Sequence, residues 1–151
     1  MKKAQAHDHN QKPIIALDLG TKLVGVAVSD ERHITIRPLT PLKRSNWKRL
    51  LRDVESLVKD FDAEALVLGL PLRLDGTQGT AAFEIKRLAG HFSKSLSIPV
   101  YLQDERLTSF DARQKLISEG HNEEDIRALI DGEAAALILR DFLTSDSTPI
   151  T

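Results

Sequence analysis

The sequence predicts an α/β fold, a mixed sheet of five strands with helices on both faces. Two observations carry that reading. Residues 14–39 divide into three apolar runs joined by short turns, as in an antiparallel meander. Residues 47–143 then alternate stretches of helical period with short Val- and Leu-rich runs, so that the order of elements reads β-β-β-α-β-α-β-α-α. With 151 residues, one domain is expected, over 13–145. Residues 1–12 and 146–151 are polar and aperiodic and are expected to be a disordered tail and a flexible one.

The first strand is Ile14–Leu19, and Gly20-Thr21-Lys22 makes the turn out of it. The second, Leu23–Ser29, carries Val24, Val26 and Val28 on one face and the small Gly25 and Ala27 on the other, where a helix could come close. A third strand fits Ile34–Leu39. Trp47, Leu50, Leu51, Val54, Leu57, Val58 and Phe61 form one helical stripe, with Ser45 or Asn46 as its N-cap. "ALVLGLP", Ala65–Pro71, reads as a strand buried on both faces. After the polar loop "RLDGTQGT", Ala82, Ile85, Leu88, Ala89 and Phe92 mark a second helix. Ile98–Glu105 is a further buried strand ending in charge. A third helix fits Ser109–Glu119 with Gly120 closing it, "HNEED" reads as a loop, and a fourth helix fits Asp131–Leu143.

Composition excludes several chemistries. Without cysteine there is no disulfide, thiolate metal site or Cys nucleophile. No run approaches the roughly 18 apolar residues of a membrane span, and the N-terminus lacks the apolar segment of a signal peptide, so a cytoplasmic protein is expected. Twenty-one Lys and Arg against 22 Asp and Glu give a net charge of −1, so a nucleic-acid partner would need a local basic patch. The five histidines form no ligand pattern.

Three carboxylates stand where α/β sheets gather function, at strand ends and the loops leaving them. Asp18 lies between Leu17 and Leu19, where an ionised carboxylate is costly unless something compensates it. Glu105 ends the last strand, and Asp131 opens the last helix. Each has a plain structural alternative: Asp18 as an Asx-type cap of its turn, Glu105 in a surface ion pair with Arg106 or Lys22, Asp131 as an N-cap. A shared site accounts for all three together. Hard divalent ions such as Mg²⁺ or Mn²⁺ take carboxylate oxygens and keep several waters, and two such ions roughly 3.5–4 Å apart hold both oxygens of a phosphodiester displacement. Two loops offer phosphate contacts, Thr21 and Lys22 after the first strand and Arg73 before a helix start. Arg106, Arg113 and Lys115 follow the Glu105 strand and suit a phosphate backbone.

"ALDLGTKLVGVAVSD", "LVLGLPLRLDGTQG", "YLQDERLTSFDA" and "IDGEAAALILRDFL" resemble four successive motifs of the YqgF family, also called RuvX, over about residues 14–143. These bacterial proteins have a ribonuclease H-like fold and are described as Holliday junction resolvases and as nucleases that mature pre-16S ribosomal RNA. The resemblance implies three antiparallel strands followed by two parallel ones, and it places the family's metal-binding catalytic carboxylates on Asp18, Glu105 and Asp131. Leu23 and the acidic stretch Glu123-Glu124-Asp125 depart from it, at positions that are commonly arginine and basic in the family. The expected function is metal-dependent hydrolysis of structured nucleic acid, precursor ribosomal RNA foremost. Junction-resolving DNA cleavage and non-catalytic RNA binding are the alternatives, and the protein is expected as a monomer or homodimer, with Thr21, Lys22, Arg73 and Arg106 on phosphates.

Overall fold

The computed structural model describes residues 11–73, 75–105 and 108–145, by backbone alone at 108–112, 127, 128 and 131. The strands are β1 (Ile14–Leu19), β2 (Leu23–Ser29), β3 (Ile36–Lys43), β4 (Ala65–Leu70) and β5 (Val100–Asp104). The helices are α1 (Trp47–Phe61), α2 (Thr80–Ser95), α3 (Thr108–Ser118) and α4 (Glu123–Leu143). The sheet order is β3-β2-β1-β4-β5, with β2 antiparallel to both neighbours and β1, β4 and β5 mutually parallel. This is the expected mixed sheet. The two predicted tails fall outside or at the margins of the described residues: 1–10 and 146–151 are not among them.

Strand alternation gives the sheet two different faces. One carries Ile15, Leu17, Val24, Val26, Leu66 and Leu68, covered by Leu50 and Val54 of α1 and by Ile85, Ala89 and Phe92 of α2. The other carries Ala16, Ala27 and Val67, covered by Ala135, Ile138 and Leu139 of α4. Small residues on this second face let α4 lie close to the strands. At Gly132 a Cβ would stand 2.9 Å from Pro38 Cβ, so no larger residue fits there without movement.

The third strand runs on to Lys43, the last strand starts at Val100, and two other boundaries differ for identifiable reasons. The third strand begins at Ile36, because the Asp30 carboxylate takes the N–H groups of Ile34 (2.7 Å) and Thr35 (3.2 Å) and holds 30–35 as a turn, with His33 at φ 58°. Those bonds favour the ionised form and hold the Asp30 carboxyl below its ordinary range, overcoming the opposing effect of partial burial. The strand then runs through Pro38 and Pro41, which an edge strand tolerates.

The last helix begins at Glu123, so Asp131 is interior to it and is no N-cap. Asn122 caps it, accepting from the Asp125 N–H at 2.8 Å. Glu123, Glu124 and Asp125 form the first turn, where negative charge complements the helix dipole. "HNEED" is therefore half helix, and its acids have a structural use. Asn122→Ala should cost about 1 kcal/mol, read as a lower urea midpoint at unchanged slope. An unchanged midpoint would contradict the cap. Gly120, at φ 88°, ends α3 as expected, and the His121 N–H returns to the Leu116 carbonyl at 3.1 Å.

Candidate active site

Because β1, β4 and β5 are parallel, their C-terminal ends share one edge of the sheet. Asp18 pairs across to Gly25 on β2. On its other side Leu17 pairs with Leu68, so Gly69 follows beside Asp18. Gly69 in turn pairs with Gln103, and β4 ends as the Glu105 N–H donates to the Leu70 carbonyl at 3.0 Å. Alternation puts Asp18, Gly69 and Glu105 on the face covered by α4.

Glu105 reaches across Gly69 to Asp18. A Cβ built on Gly69 would fall on the Glu105 carboxylate and 2.6 Å from Ile138 Cδ1. Asp18 is 8% exposed and Glu105 is half-buried. The two carboxyls are hydrogen-bonded, and Glu105 is pushed up to about 9, first by loss of water and then by the charge of Asp18, with a smaller push from Asp104. Two carboxylates this close do not both stay ionised, so near neutral pH the pair shares a proton. Glu105 thus turns toward Asp18, and its ion-pair alternative with Arg106 lies outside the described residues. The N–H of Gly20 goes to the main-chain oxygens of Asp18 and Leu23.

The pair is an all-oxygen donor set at a strand edge, flanked by Gly25 and Gly69, and it suits a hard divalent cation that keeps several waters. Among the described residues no group of three or more His, Asp or Glu is gathered closely enough to hold a metal. Asp131, whose side chain lies outside the described residues, stands in α4 one turn before buried Ala135.

The phosphate candidates divide. Thr21 and Lys22 are exposed in the β1–β2 turn. That turn is held by Arg44, whose guanidinium donates to the Gly20 carbonyl (2.8 Å) and whose N–H donates to the Lys22 carbonyl (2.9 Å). Arg73 is exposed and lies across Gly79, the N-cap of α2, where a Cβ would be 3.3 Å from its Nε. Its loop is closed by Asp75, which accepts from the N–H (2.9 Å) and hydroxyl (2.7 Å) of Thr77. Arg106 lies outside the described residues. Arg113 and Lys115 are turned to another purpose: Arg113 grips both oxygens of Glu123 (2.5 and 2.6 Å), and Lys115 pairs with Glu133, so both clamp α3 to α4.

Sequence reasoning missed two residues of this edge. Gly69 sits inside a Val/Leu run, and a strand glycine is a signal for close approach of another group. Arg44 carried no such signal, since its partners are carbonyls set by the fold.

A family model described as "RuvX: Holliday junction resolvase" matches residues 12–145. Curated relatives named "Putative pre-16S rRNA nuclease" include one from Syntrophus aciditrophicus, 39% identical over 89% of each chain. Another, from Synechococcus elongatus, is 36% identical over 89% of this chain and 91% of its own. Among solved structures, RuvC of T. thermophilus in complex with a Holliday junction substrate has a TM-score of 0.53 at 16% identity, covering 92% of this chain and 99% of that one. The human cytomegalovirus terminase nuclease domain has the same TM-score at 15% identity, covering 95% and 88%. These structures share the fold, which is ribonuclease H-like. With a match over nearly its whole length, the chain belongs to the RuvX family of Holliday junction resolvases.

Proposed function

We propose that this protein is a divalent-metal-dependent nuclease that hydrolyses phosphodiester bonds in structured RNA, in the 5′ maturation of pre-16S ribosomal RNA. The observation that carries the reading is the Asp18–Glu105 pair, drawn together over Gly69 at the C-terminal edge of the parallel strands. Without a cation the pair obliges the fold to take up a proton near neutral pH, which weakens the fold there. The names of relatives at 36–39% identity support the RNA substrate.

Asp18, Glu105 and Asp131 would hold Mg²⁺ or Mn²⁺, as one ion or two. Such an ion, when bound, supplies Lewis acidity toward the phosphoryl oxygens and lowers the pKa of water. To hold such an ion, Asp18 and Glu105 would have to give up the proton they share. Thr21 and Lys22 then face the phosphate from the β1–β2 turn, and Arg73 meets the next phosphate at the start of α2, where main-chain N–H groups also point outward. The site lies at the C-terminal edge of the parallel strands.

The family description favours a second reading, cleavage of four-way DNA junctions by a two-fold dimer. Cleavage of a labelled precursor-rRNA 5′ leader and of a synthetic four-way junction, compared with Mg²⁺, Mn²⁺ or chelator, separates the two. The proposal expects metal-dependent cutting of the leader in preference to the junction. Preferential cutting of the junction would establish the second reading. Tight RNA binding without cutting under any metal would point to a non-catalytic assembly role.

A further inference from the structure

A second concave site opens at the same edge, on the opposite face of the sheet from Asp18. It is a cavity of about 320 Å³ between the start of α1 and the length of α2, lined by Arg44, Trp47, Leu50, Glu84, Arg87 and His91 among others. That volume lies at the lower end of the range for small-ligand pockets and is about right for one nucleotide. Its chemistry is unusual for this chain. Trp47 is the protein's one tryptophan, in a sequence with 5% aromatics, and it is 37% exposed. Its indole stacks on the His91 imidazole, ring centroids 4.0 Å apart and planes within 6°. The Lys48 ammonium lies 5.8 Å from the indole centroid. Arg44, Arg87 and Lys48 are opposed in or beside the cavity by Glu84, so the lining is cationic on balance.

Arg44 joins this cavity to the carboxylate site. It lines the cavity, and its guanidinium holds the Gly20 carbonyl, two residues from Asp18. One Nη1–H is used in that bond, and a guanidinium has four more N–H groups to offer.

We propose that this cavity holds one unpaired nucleotide of the substrate strand, with its phosphate on Arg44 and Arg87 and its base against the Trp47–His91 stack. The assignment rests on the nuclease reading above and adds a requirement to it, a single-stranded stretch in the substrate. Single-stranded nucleic acid is recognised by this pairing of basic groups with an aromatic platform, which a continuous duplex cannot enter.

Trp47 makes the test direct, because all tryptophan fluorescence of the protein comes from this cavity. The full chain carrying Asp18→Asn, expected not to cut, is titrated in chelator with a single-stranded RNA of roughly eight nucleotides and with a blunt duplex of the same sequence. The expected result is saturable change of Trp47 fluorescence by the single strand and little by the duplex, with affinity weakened about tenfold by Arg87→Ala. In an otherwise wild-type chain, Trp47→Ala should raise KM for the precursor leader roughly 5- to 100-fold with kcat nearly unchanged, and Trp47→Phe should restore most of it. Because Trp47 is exposed, circular dichroism should show both variants folded. Binding of the single strand, followed by anisotropy of a labelled oligonucleotide, without any change in Trp47 fluorescence would overturn the assignment. So would an unchanged KM in Trp47→Ala, while leaving the nuclease reading intact. Fluorescence change with no cutting by the wild type would instead keep the nucleotide site and remove the nuclease reading.

Discussion

Replacing Asp18 by Asn, or Glu105 by Gln, is expected to abolish metal-dependent cleavage, by about 10³-fold or more, and at the same time to make the metal-free protein more stable. The two effects have one cause. Asp18 is almost fully buried, and Glu105 is held against it with its carboxyl pushed up to about 9 by desolvation and by that neighbour. An amide in place of either carboxylate keeps the hydrogen bond and removes the need to take up a proton on folding. The gain should be on the order of 1–2 kcal/mol, or roughly 2–4 °C in thermal midpoint per kcal/mol at this chain length. A purely structural pair would behave in the opposite way, losing stability on substitution and keeping whatever activity the protein has. Thermal unfolding in chelator, run beside the cleavage assay, distinguishes them.

Gly69→Ala is the second large effect. The new methyl group would fall on the Glu105 carboxylate and crowd Ile138 Cδ1. A carboxylate at the end of a flexible side chain can move aside, so the fold should survive with a loss of about 1–3 kcal/mol. Moving it separates Glu105 from Asp18. Displacement of a reacting group by about 1 Å can cost 10²-fold, and kcat/KM should fall by about that much or more. The signature is non-additivity: in a chain already carrying Glu105→Gln, Gly69→Ala should reduce the residual rate little further. A full second loss in the double variant would mean that Gly69 acts through something other than Glu105.

Both effects depend on features with very different visibility in the sequence. Asp18 announces itself, because an ionisable group inside "IIALDLG" needs a reason. The alternation of valines with Gly25 and Ala27 in β2 likewise gives away the close approach of α4. The five-strand mixed sheet follows from the order of elements alone. What stays hidden is set by contacts between distant residues. The start of α4 looks like a loop because its first turn is Glu123-Glu124-Asp125, and only the dipole and the Asn122 cap make those acids helical. Arg113 and Lys115 read as free cations until α4 brings Glu123 and Glu133 to them. The register of β3 depends on the Asp30 carboxylate capturing two N–H groups four and five residues ahead. The Trp47–His91 stack joins two helices 44 positions apart, a pairing no local pattern encodes.

The central claim is that Asp18 and Glu105 form a strained pair that a divalent cation relieves, and the thermal midpoint of the metal-free protein as a function of pH tests it most directly. Glu105 binds its proton more tightly folded than unfolded, with its carboxyl near 9 against an ordinary 4.5. Its contribution to stability is therefore complete below about pH 4.5 and is lost progressively as pH rises through about 9. The wild type should lose stability across that window relative to Glu105→Gln, and Mg²⁺ or Mn²⁺ should restore it in the wild type alone. Parallel pH profiles for the two proteins, unmoved by either ion, would contradict the account.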